Sequence, residues 1–420
     1  MARASQLVQG LRPDRLARRL IELLGPTGGA ARQSLVALAF NSLTSFAAGA
    51  MLVGFNGTWR RLAPMLILVP AAIGLRGNVF STLGNRLSTS IHTGTFRVSF
   101  KADSVLGQNL LASFSLTAVM SVVLACFAKV LATALGVVQH VSVLELTMVS
   151  VVGGMLGSIV VAAATVLLSI GAVRYEWDLD YLVAPTVSTL GDVITIPALW
   201  LAAQLIGHGD AATIIGGVVV IVTVGVAAWS WRTTLDMVRE IFRESLPVLT
   251  AALVLSALAG LVLQKQQGIL AELPAIGILQ PAFVSSAGAL GGILCGRIAT
   301  NLHLGSVEAT LTPGAEARRD AWLVVGLAVP LLVLNSVGAW ITALISGSHA
   351  APGFGWVLGA SSLASLVTMA FVAALSYYST IGAWRFNVDP DTFGTPIDTA
   401  SVDFVGTMSL VVAVVALGLI

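Results

Sequence analysis

The sequence predicts an all-α fold: a polytopic membrane helical bundle of about eleven transmembrane helices, with two parallel five-helix repeats joined by one extra helix. Three observations support this prediction. Hydrophobic residues make up 56% of the 420 residues and charged residues only 10%, whereas soluble domains carry about 25% charged residues. Apolar runs long enough to cross about 30 Å of hydrocarbon recur along the chain. Finally, the second half repeats motifs of the first at an offset of 211 positions.

The N-terminal segment, residues 1–32, precedes the first long apolar run and carries Arg12, Arg15, Arg18 and Arg19 among leucines. This pattern is typical of an amphipathic helix on an anionic membrane surface, with a solvated basic tail as the alternative. The segment has no apolar core of the kind that a secretory signal requires. We therefore interpret it as a cytoplasmic basic amphipathic N-terminus.

Eleven apolar runs follow, and each is predicted to be a helix because a helix satisfies its backbone amides within its own span. Their approximate bounds are 33–55, 62–83, 105–136, 144–173, 181–205, 213–230, 244–263, 275–297, 321–347, 355–382 and 398–420. The first five runs form a repeat at 33–205, and the last five form a second repeat at 244–420. A linker at 206–243 contains the extra helix.

Basic residues fall mainly on one side of this predicted bundle. That side holds the N-terminus together with Arg86, Arg97, Lys101, Arg174, Arg232, Arg239, Arg243, Arg297, Arg318, Arg319 and Arg385. The opposite side holds Arg60, Arg61, Lys129 and Lys265. By the positive-inside rule, the N-terminus is predicted to be cytoplasmic and the C-terminus to be outside, in a multi-pass protein of the plasma membrane.

The internal repeat is carried by two gapless pairs of windows. Residues 70–94 match 281–305 at eight positions and residues 171–192 match 382–403 at seven, so 15 of 47 positions are identical. The single helix between the two units returns the chain to the cytoplasm, so both units enter the membrane in the same direction. The halves are therefore predicted to be parallel repeats about an axis along the membrane normal. We expect the chain to work as a monomer that is itself a pseudo-dimer.

The fifth span of each half carries an acidic residue into apolar surroundings. Ionisable groups inside membrane spans are costly and usually mark an ion or substrate path. Spacings of three and seven place the shared residues on one helical face, and these residues are Pro185, Ser188 and Asp192, then Pro396, Thr399 and Asp403. Each face offers a carboxylate, a hydroxyl and a carbonyl that proline leaves without its helical N–H. Such hard oxygen donors suit Mg²⁺, Ca²⁺ or Mn²⁺.

Asp192 and Asp403 would supply two negative charges to one midline site if the pseudo-twofold axis brings their faces together. Because Mg²⁺ usually keeps several waters, two separated carboxylates could hold a largely hydrated ion through outer-shell hydrogen bonds. The alternative is that these aspartates pair with Arg76, which is predicted to lie deep in the second span. Four further acidic residues at the cytoplasmic ends of the fifth spans are either helix caps or part of an ion vestibule: Asp178, Asp180, Asp389 and Asp391.

Glycines cluster in the second span of each half, at Gly77, Gly288, Gly291 and Gly292. Glycine lets helix backbones approach closely, and it also permits a helix to break within the membrane. A broken second helix would direct backbone carbonyls or amides at the ion path. Both interpretations are open from the sequence.

These motifs resemble those of a known family. The string VPAAIGLRGNVFSTLGNRLST, from Val69, looks like the first signature of the eukaryotic solute-carrier magnesium transporters, relatives of the bacterial magnesium channel MgtE. The strings APTVSTLGD and DPDTFGTPIDTASVD resemble the paired aspartate signatures of that group. The resemblance implies a cation pore formed by two five-helix units, in which Asp192 and Asp403 bind Mg²⁺. It also implies that Asp178 and Asp389 lie at the cytoplasmic mouth.

Two departures from the family pattern are visible. MgtE carries large cytoplasmic domains that sense magnesium, and here about 32 residues precede the first span, so we expect that gating apparatus to be missing. In the second half, SAGALGG from Ser286 is a degenerate form of the family's glycine–asparagine signature, with Ala289 as the counterpart of Asn78. We therefore expect the two halves to differ.

The sequence thus predicts transport of a divalent cation, with Mg²⁺ first and Mn²⁺ or Ca²⁺ as the other candidates, and no enzyme activity. A channel and an exchanger coupled to Na⁺ or H⁺ cannot be separated, since an intramembrane aspartate serves either. An intramembrane enzyme built on the acidic pairs at 178–180 and 389–391 would need a cluster of basic residues to hold a diphosphate. Arg174 and Arg385 are the residues available for that. The expected partners are the metal ion and the lipid bilayer, and the net charge of +2 gives no reason to expect nucleic acid.

Overall fold

The computed structural model describes residues 28–55, 57–58, 62, 64–92, 94–134, 136, 141–175, 179–206, 211–265, 273–303, 305–345, 353–386, 388 and 390–418. Within these ranges the fold is all-α, with eleven helices and no strand. The helices are α1 (Gly28–Gly54), α2 (Pro64–His92), α3 (Val105–Ala134), α4 (Val143–Tyr175), α5 (Leu179–Ala203), α6 (Ala211–Arg232), α7 (Asp236–Lys265), α8 (Pro274–His303), α9 (Ala315–Ile345), α10 (Phe354–Arg385) and α11 (Pro390–Ala416). Ten of the described helices are long and apolar enough to cross a membrane, and α5 contains the shorter apolar stretch Thr189–Ala203. The predicted fold class, a polytopic helical membrane bundle, is confirmed.

The helix bounds repeat at the offset found in the sequence. Adding 211 to the bounds of α2 gives 275–303, and α8 spans Pro274–His303. The same addition takes α4 to 354–386, and α10 spans Phe354–Arg385. All five helix pairs correspond in this way to within three residues. Residues 211 positions apart can therefore be compared directly between the halves.

Several helices begin earlier than the apolar runs that predict them. α1 begins at Gly28, α7 at Asp236 and α11 at Pro390, because a helix continues beyond the hydrocarbon into more polar sequence. An acidic residue in the first turn and a proline at the first helical position both favour such starts. Residues 1–27 of the predicted amphipathic segment lie outside the described residues. The domain division at 1–32, 33–205, 206–243 and 244–420 stays a prediction.

The first helix of each half packs against the opposite half. α1 contacts α5 of its own half but also α8 and α9, and α7 contacts α11 of its own half but also α2 and α3. Gly49 permits this approach, since a Cβ there would lie 2.6 Å from the carbonyl oxygen of Ile278 on α8. The equivalent Gly260 on α7 lies against the carbonyl of Ile67 on α2. The halves therefore interlock through α1 and α7.

The second helix of each half is continuous. α2 runs through Gly77 and α8 runs through Gly288 without interruption, so the broken-helix interpretation is wrong. Close packing accounts for at least one of the clustered glycines, because a Cβ at Gly291 would overlap the carboxylate of Asp398 on α11. Glycine is retained where another group must approach the helix backbone.

Candidate metal site

Asp192 lies near the middle of α5, where α5 meets α1 and α8. Its side chain is buried, with 5% of its surface exposed. The hydroxyl of Ser45 on α1 donates a hydrogen bond of 2.8 Å to Asp192 Oδ2. Ser285 on α8 lies beside this carboxylate, and its hydroxyl donates to Asn41 Oδ1 on α1 at 3.3 Å. Three helices from both halves therefore converge on one acidic group.

Asp403 occupies the equivalent place near the middle of α11, where α11 meets α7 and α2. The hydroxyl of Ser256 on α7 donates a hydrogen bond of 2.7 Å to Asp403 Oδ2. Gly74 on α2 faces the same group, since a Cβ there would lie 3.2 Å from Asp403 Oδ2 and 3.1 Å from Ser256 Oγ. Ser256 lies 211 positions after Ser45, as Asp403 does after Asp192. The serine–aspartate pair is thus duplicated.

Asp192 and Asp403 both lie where helices of the two halves meet. Neither is neutralised by a basic side chain in the part of the chain that the structure describes, where the two ion pairs are Arg239–Asp236 and Arg297–Asp320. Hydroxyl donors stabilise a carboxylate without cancelling its charge. The region between the halves therefore carries negative charge that a cation can balance.

Arg76 does not pair with either aspartate, so the alternative that the sequence left open is wrong. The side chain is buried between α2, α4 and α5, with 2% of its surface exposed. It donates to the carbonyl of Ala72 at 2.7 Å, to Thr195 Oγ1 at 2.9 Å and to the carbonyl of Gly154 at 3.3 Å. Oxygen acceptors on three helices thus satisfy this guanidinium.

The other predicted site residues are only partly visible. Thr399 is half-buried, and its hydroxyl donates to Asn78 Oδ1 on α2 at 3.0 Å or to the carbonyl of Thr395 in its own helix at 2.9 Å. Asp178 and Asp389 lie outside the described residues, as do the side chains of Ser188, Asp180 and Asp391. The structure thus joins α11 to α2 through Thr399 and leaves the predicted vestibule acids untested.

Three residues of this region were missed by the sequence analysis. Ser45 and Ser256 could have been found, because they repeat at the same offset in the first span of each half. Asp398 gives no such signal, since Val187 is its counterpart. Asp398 is fully buried and accepts a hydrogen bond of 2.9 Å from Ser376 through Oδ1. Its Oδ2 has no hydrogen-bond partner among the described residues.

The donor set is sparse for a permanent metal site. Among the residues described, no group of three or more His, Cys, Asp or Glu side chains is placed to hold a metal ion. Two carboxylates with hydroxyl neighbours instead suit an ion that keeps most of its water. Binding of this kind is weak enough for the ion to leave again, which transport requires.

An all-helical membrane bundle with two interlocked repeats and unneutralised carboxylates at their junction has the features of a membrane transport protein for cations. The sequence profile of the MgtE family, described as a divalent cation transporter, matches residues 69–202 and 280–413, two segments again offset by 211. The chain belongs to this family. It is a multi-pass membrane protein whose substrate is a divalent cation.

The chain is also similar to curated transporters. It is 26% identical to solute carrier family 41 member 2 of Xenopus laevis over 91% of this chain and 72% of that protein. It is 26% identical to member 3 of Rattus norvegicus over 60% of this chain and 55% of that protein, and 26% identical to the human member 2 over 84% and 64%. The chain thus spans between about half and three quarters of the length of these relatives. No solved structure matches it.

These matches are to transporters and not to enzymes. The alternative of an intramembrane metal-dependent enzyme is therefore not supported. The predicted family resemblance is confirmed by both comparisons.

Proposed function

We propose that this chain carries Mg²⁺ across the plasma membrane along a path between its two halves, with Asp192 and Asp403 holding a largely hydrated ion. The observation that supports this most directly is the duplicated serine–aspartate pair, with hydrogen bonds of 2.8 and 2.7 Å. Structural salt bridges would provide a different use for these acids, but among the described residues neither acid has a basic partner. Carboxylates inside a membrane span are costly unless a cation balances their charge.

The preference for Mg²⁺ follows from the kind of ligand and from how few ligands there are. Carboxylate and hydroxyl oxygens are hard donors, and neither histidine nor cysteine contributes to the described site. Ca²⁺ takes six to eight oxygen ligands, whereas Mg²⁺ keeps several waters and uses one or two carboxylates. Two acids facing a hydrated ion fit the second description better.

The direction of transport follows from the membrane potential. With the N-terminus in the cytoplasm, as the basic residues predict, a divalent ion that enters a negative-inside cell gains about 4.6 kcal/mol per 100 mV from its two charges. Uptake then needs no second substrate. In this proposal a single chain provides both halves of the path.

The test is a flux assay on the full chain reconstituted in liposomes, with a Mg²⁺-sensitive dye inside. Asp192→Asn and Asp403→Asn remove one charge each, and each should lower the Mg²⁺ flux at least about tenfold, the effect of about 1.4 kcal/mol of lost interaction. The matched control is Asp236→Asn, an exposed acid at the start of α7, which should leave the flux unchanged. Wild-type flux in both site variants would contradict the assignment of Asp192 and Asp403 as the ion site. Parallel assays with Mn²⁺ and Ca²⁺ measure the ion selectivity.

An exchanger coupled to Na⁺ or H⁺ is the second candidate, and Asp398 favours it. This acid is fully buried, and its Oδ2 has no hydrogen-bond partner among the described residues. A carboxylate in such a place must bind a proton or another cation to offset its desolvation. A coupled mechanism requires divalent flux that follows a Na⁺ or pH gradient when the membrane potential is held at zero.

A further inference from the structure

The two halves differ on the side of the aspartates that faces the basic end of the bundle. A cleft lies there between α2, α3, α7 and α11. Polar side chains from α2, α3 and α7 line it together with apolar ones and with Pro396 of α11; the polar residues are Asn78, Thr82, Arg86, Ser113 and Ser245, and the apolar ones are Val79, Leu116, Val248 and Leu249. The cleft begins at the level where Thr399 meets Asn78, one helical turn from Asp403, and continues toward the ends of the helices.

Three of the polar residues follow one face of α2. Asn78, Thr82 and Arg86 are spaced by four residues, so their side chains lie above one another along the helix. Arg86 marks the end of this row on the basic side, where its guanidinium donates to Ser245 Oγ on α7 at 3.3 Å. The row therefore connects the region of Asp403 with the surface that the arginine distribution predicts to be cytoplasmic.

Three of the five polar positions have apolar counterparts, whereas Ser245 corresponds to Ser34 and Arg86 to Arg297. The counterparts of Asn78, Thr82 and Ser113 are Ala289, Ile293 and Val324. Val324 is buried, and it belongs to a core cluster with Leu38 and Leu290 against which Ala289 and Ile293 pack. An ion crossing this cluster would lose its water without gaining oxygen ligands, which costs several kcal/mol or more.

The arginines of the two halves also point to different helices. Arg297, the counterpart of Arg86, is bound to Asp320 on α9, with Arg297 Nε at 2.9 Å from Asp320 Oδ1. The residue equivalent to Asp320 is Asn109, whose amide donates to the carbonyl of Val105. The ion pair therefore connects α8 to α9 within one half, whereas the hydrogen bond of Arg86 connects α2 to α7 across the two halves.

Polar side chains near Asp192 form hydrogen bonds with one another. Asn41 on α1 donates to Ser285 Oγ at 3.0 Å and accepts a hydrogen bond of 3.1 Å from Thr189. Near Asp403 the equivalent positions of these three residues are Ala252, Gly74 and Ala400. Hydrogen bonds of Asn41 thus join α1, α5 and α8 beside Asp192, whereas small residues stand at the equivalent positions beside Asp403.

We propose that the ion passes between the aspartate site and the basic side by only one of two pseudo-equivalent routes, along the cleft between α2, α3, α7 and α11. The equivalent route between α1, α5, α8 and α9 is closed by apolar packing. This inference rests on the proposed function and adds a one-sided route to it. The cleft has room for about one water molecule in this conformation, so the helices around it must separate for a hydrated ion to pass.

Cysteine labelling tests this asymmetry without relying on transport. In the full chain with Cys126 and Cys295 replaced by alanine, cysteines are introduced as Thr82→Cys and Ser113→Cys or at the matched positions as Ile293→Cys and Val324→Cys. Protein in lipid nanodiscs is treated with a small cationic thiol reagent, and the modified fraction is followed by intact mass. We expect cysteines at 82 and 113 to react at least tenfold faster than those at 293 and 324. Equal rates, faster reaction at 293 and 324, or no reaction at 82 and 113 would overturn the proposal.

A flux measurement gives the second test, with each half used as the control for the other. Thr82→Ile together with Ser113→Val gives the cleft the side chains of the closed route, and the Mg²⁺ flux should fall at least tenfold. Ile293→Thr together with Val324→Ser makes the reverse change and should alter the flux less than twofold. A flux loss from the second pair alone would overturn the proposal. If Asp192→Asn and Asp403→Asn leave the flux intact, the proposed function fails, and the labelling rates still report whether one side alone is hydrated.

Discussion

The hydroxyls of Ser45 and Ser256 each donate a hydrogen bond to one carboxylate oxygen of the neighbouring aspartate. Ser45 and Ser256 both donate to Oδ2 of the carboxylate that they face. A hydrogen bond to a charged group contributes about 1.5–3 kcal/mol. The serine therefore stabilises the ionised carboxylate and fixes its orientation, although it carries no charge itself.

Removing these hydroxyls should weaken ion binding by similar amounts in the two halves. We expect Ser45→Ala and Ser256→Ala each to raise the Mg²⁺ concentration for half-maximal flux about tenfold, because the carboxylate loses a donor worth about 1.5 kcal/mol. The control is Thr44→Val next to Ser45, since the hydroxyl of Thr44 donates to carbonyls of its own helix at 2.8 and 3.0 Å. A wild-type half-saturation value in both alanine variants would show that the serines do not orient the acids.

At the scale of the helices, the sequence predicted the elements better than it predicted their partners. Composition and the repeat were sufficient for the helical membrane bundle, in which ten described helices are long and apolar enough to cross a membrane. The role of the acids at 192 and 403 stays a prediction. The exchange of α1 and α7 between the halves was not predictable, since contacts between distant helices leave no periodic pattern. The hydrogen bonds of Arg76 to the carbonyl of Gly154 on α4 and to Thr195 Oγ1 on α5 were hidden for the same reason. Comparing the first spans at the offset of 211 would have found Ser45 with Ser256 and Gly49 with Gly260.

The exchange of first helices depends on close backbone contact, and glycine replacement should measure it. Gly49→Ala places a Cβ 2.6 Å from the carbonyl oxygen of Ile278, so we expect a loss of roughly 1–3 kcal/mol of stability from overpacking. Gly260→Ala should behave alike, because it overlaps the carbonyl of Ile67. The control is Gly225→Ala on α6, where a Cβ would have no neighbour within 4 Å. Thermal unfolding of the purified protein is the measurement, and equal midpoints for all three variants would contradict the packing described.

At the scale of the whole molecule, the charges at the helix centres favour transport of a divalent cation without a counter-ion. The two acids where the halves meet are Asp192 and Asp403. When both are ionised their charges sum to −2, and one divalent cation balances them. A passage that carries the ion without a counter-ion moves two charges per transport event.

Uncoupled transport should therefore follow the membrane potential quantitatively. In liposomes held at about −60 mV inside by a potassium gradient and an ionophore, Mg²⁺ should accumulate about a hundredfold at equilibrium, because its two charges gain about 2.8 kcal/mol. At zero potential it should only equalise, whatever the Na⁺ or pH gradient. Asp403→Asn liposomes provide the leak control. Accumulation at zero potential that is driven by Na⁺ or protons, and lost in Asp398→Asn, would instead establish the coupled exchanger and assign Asp398 to the second ion.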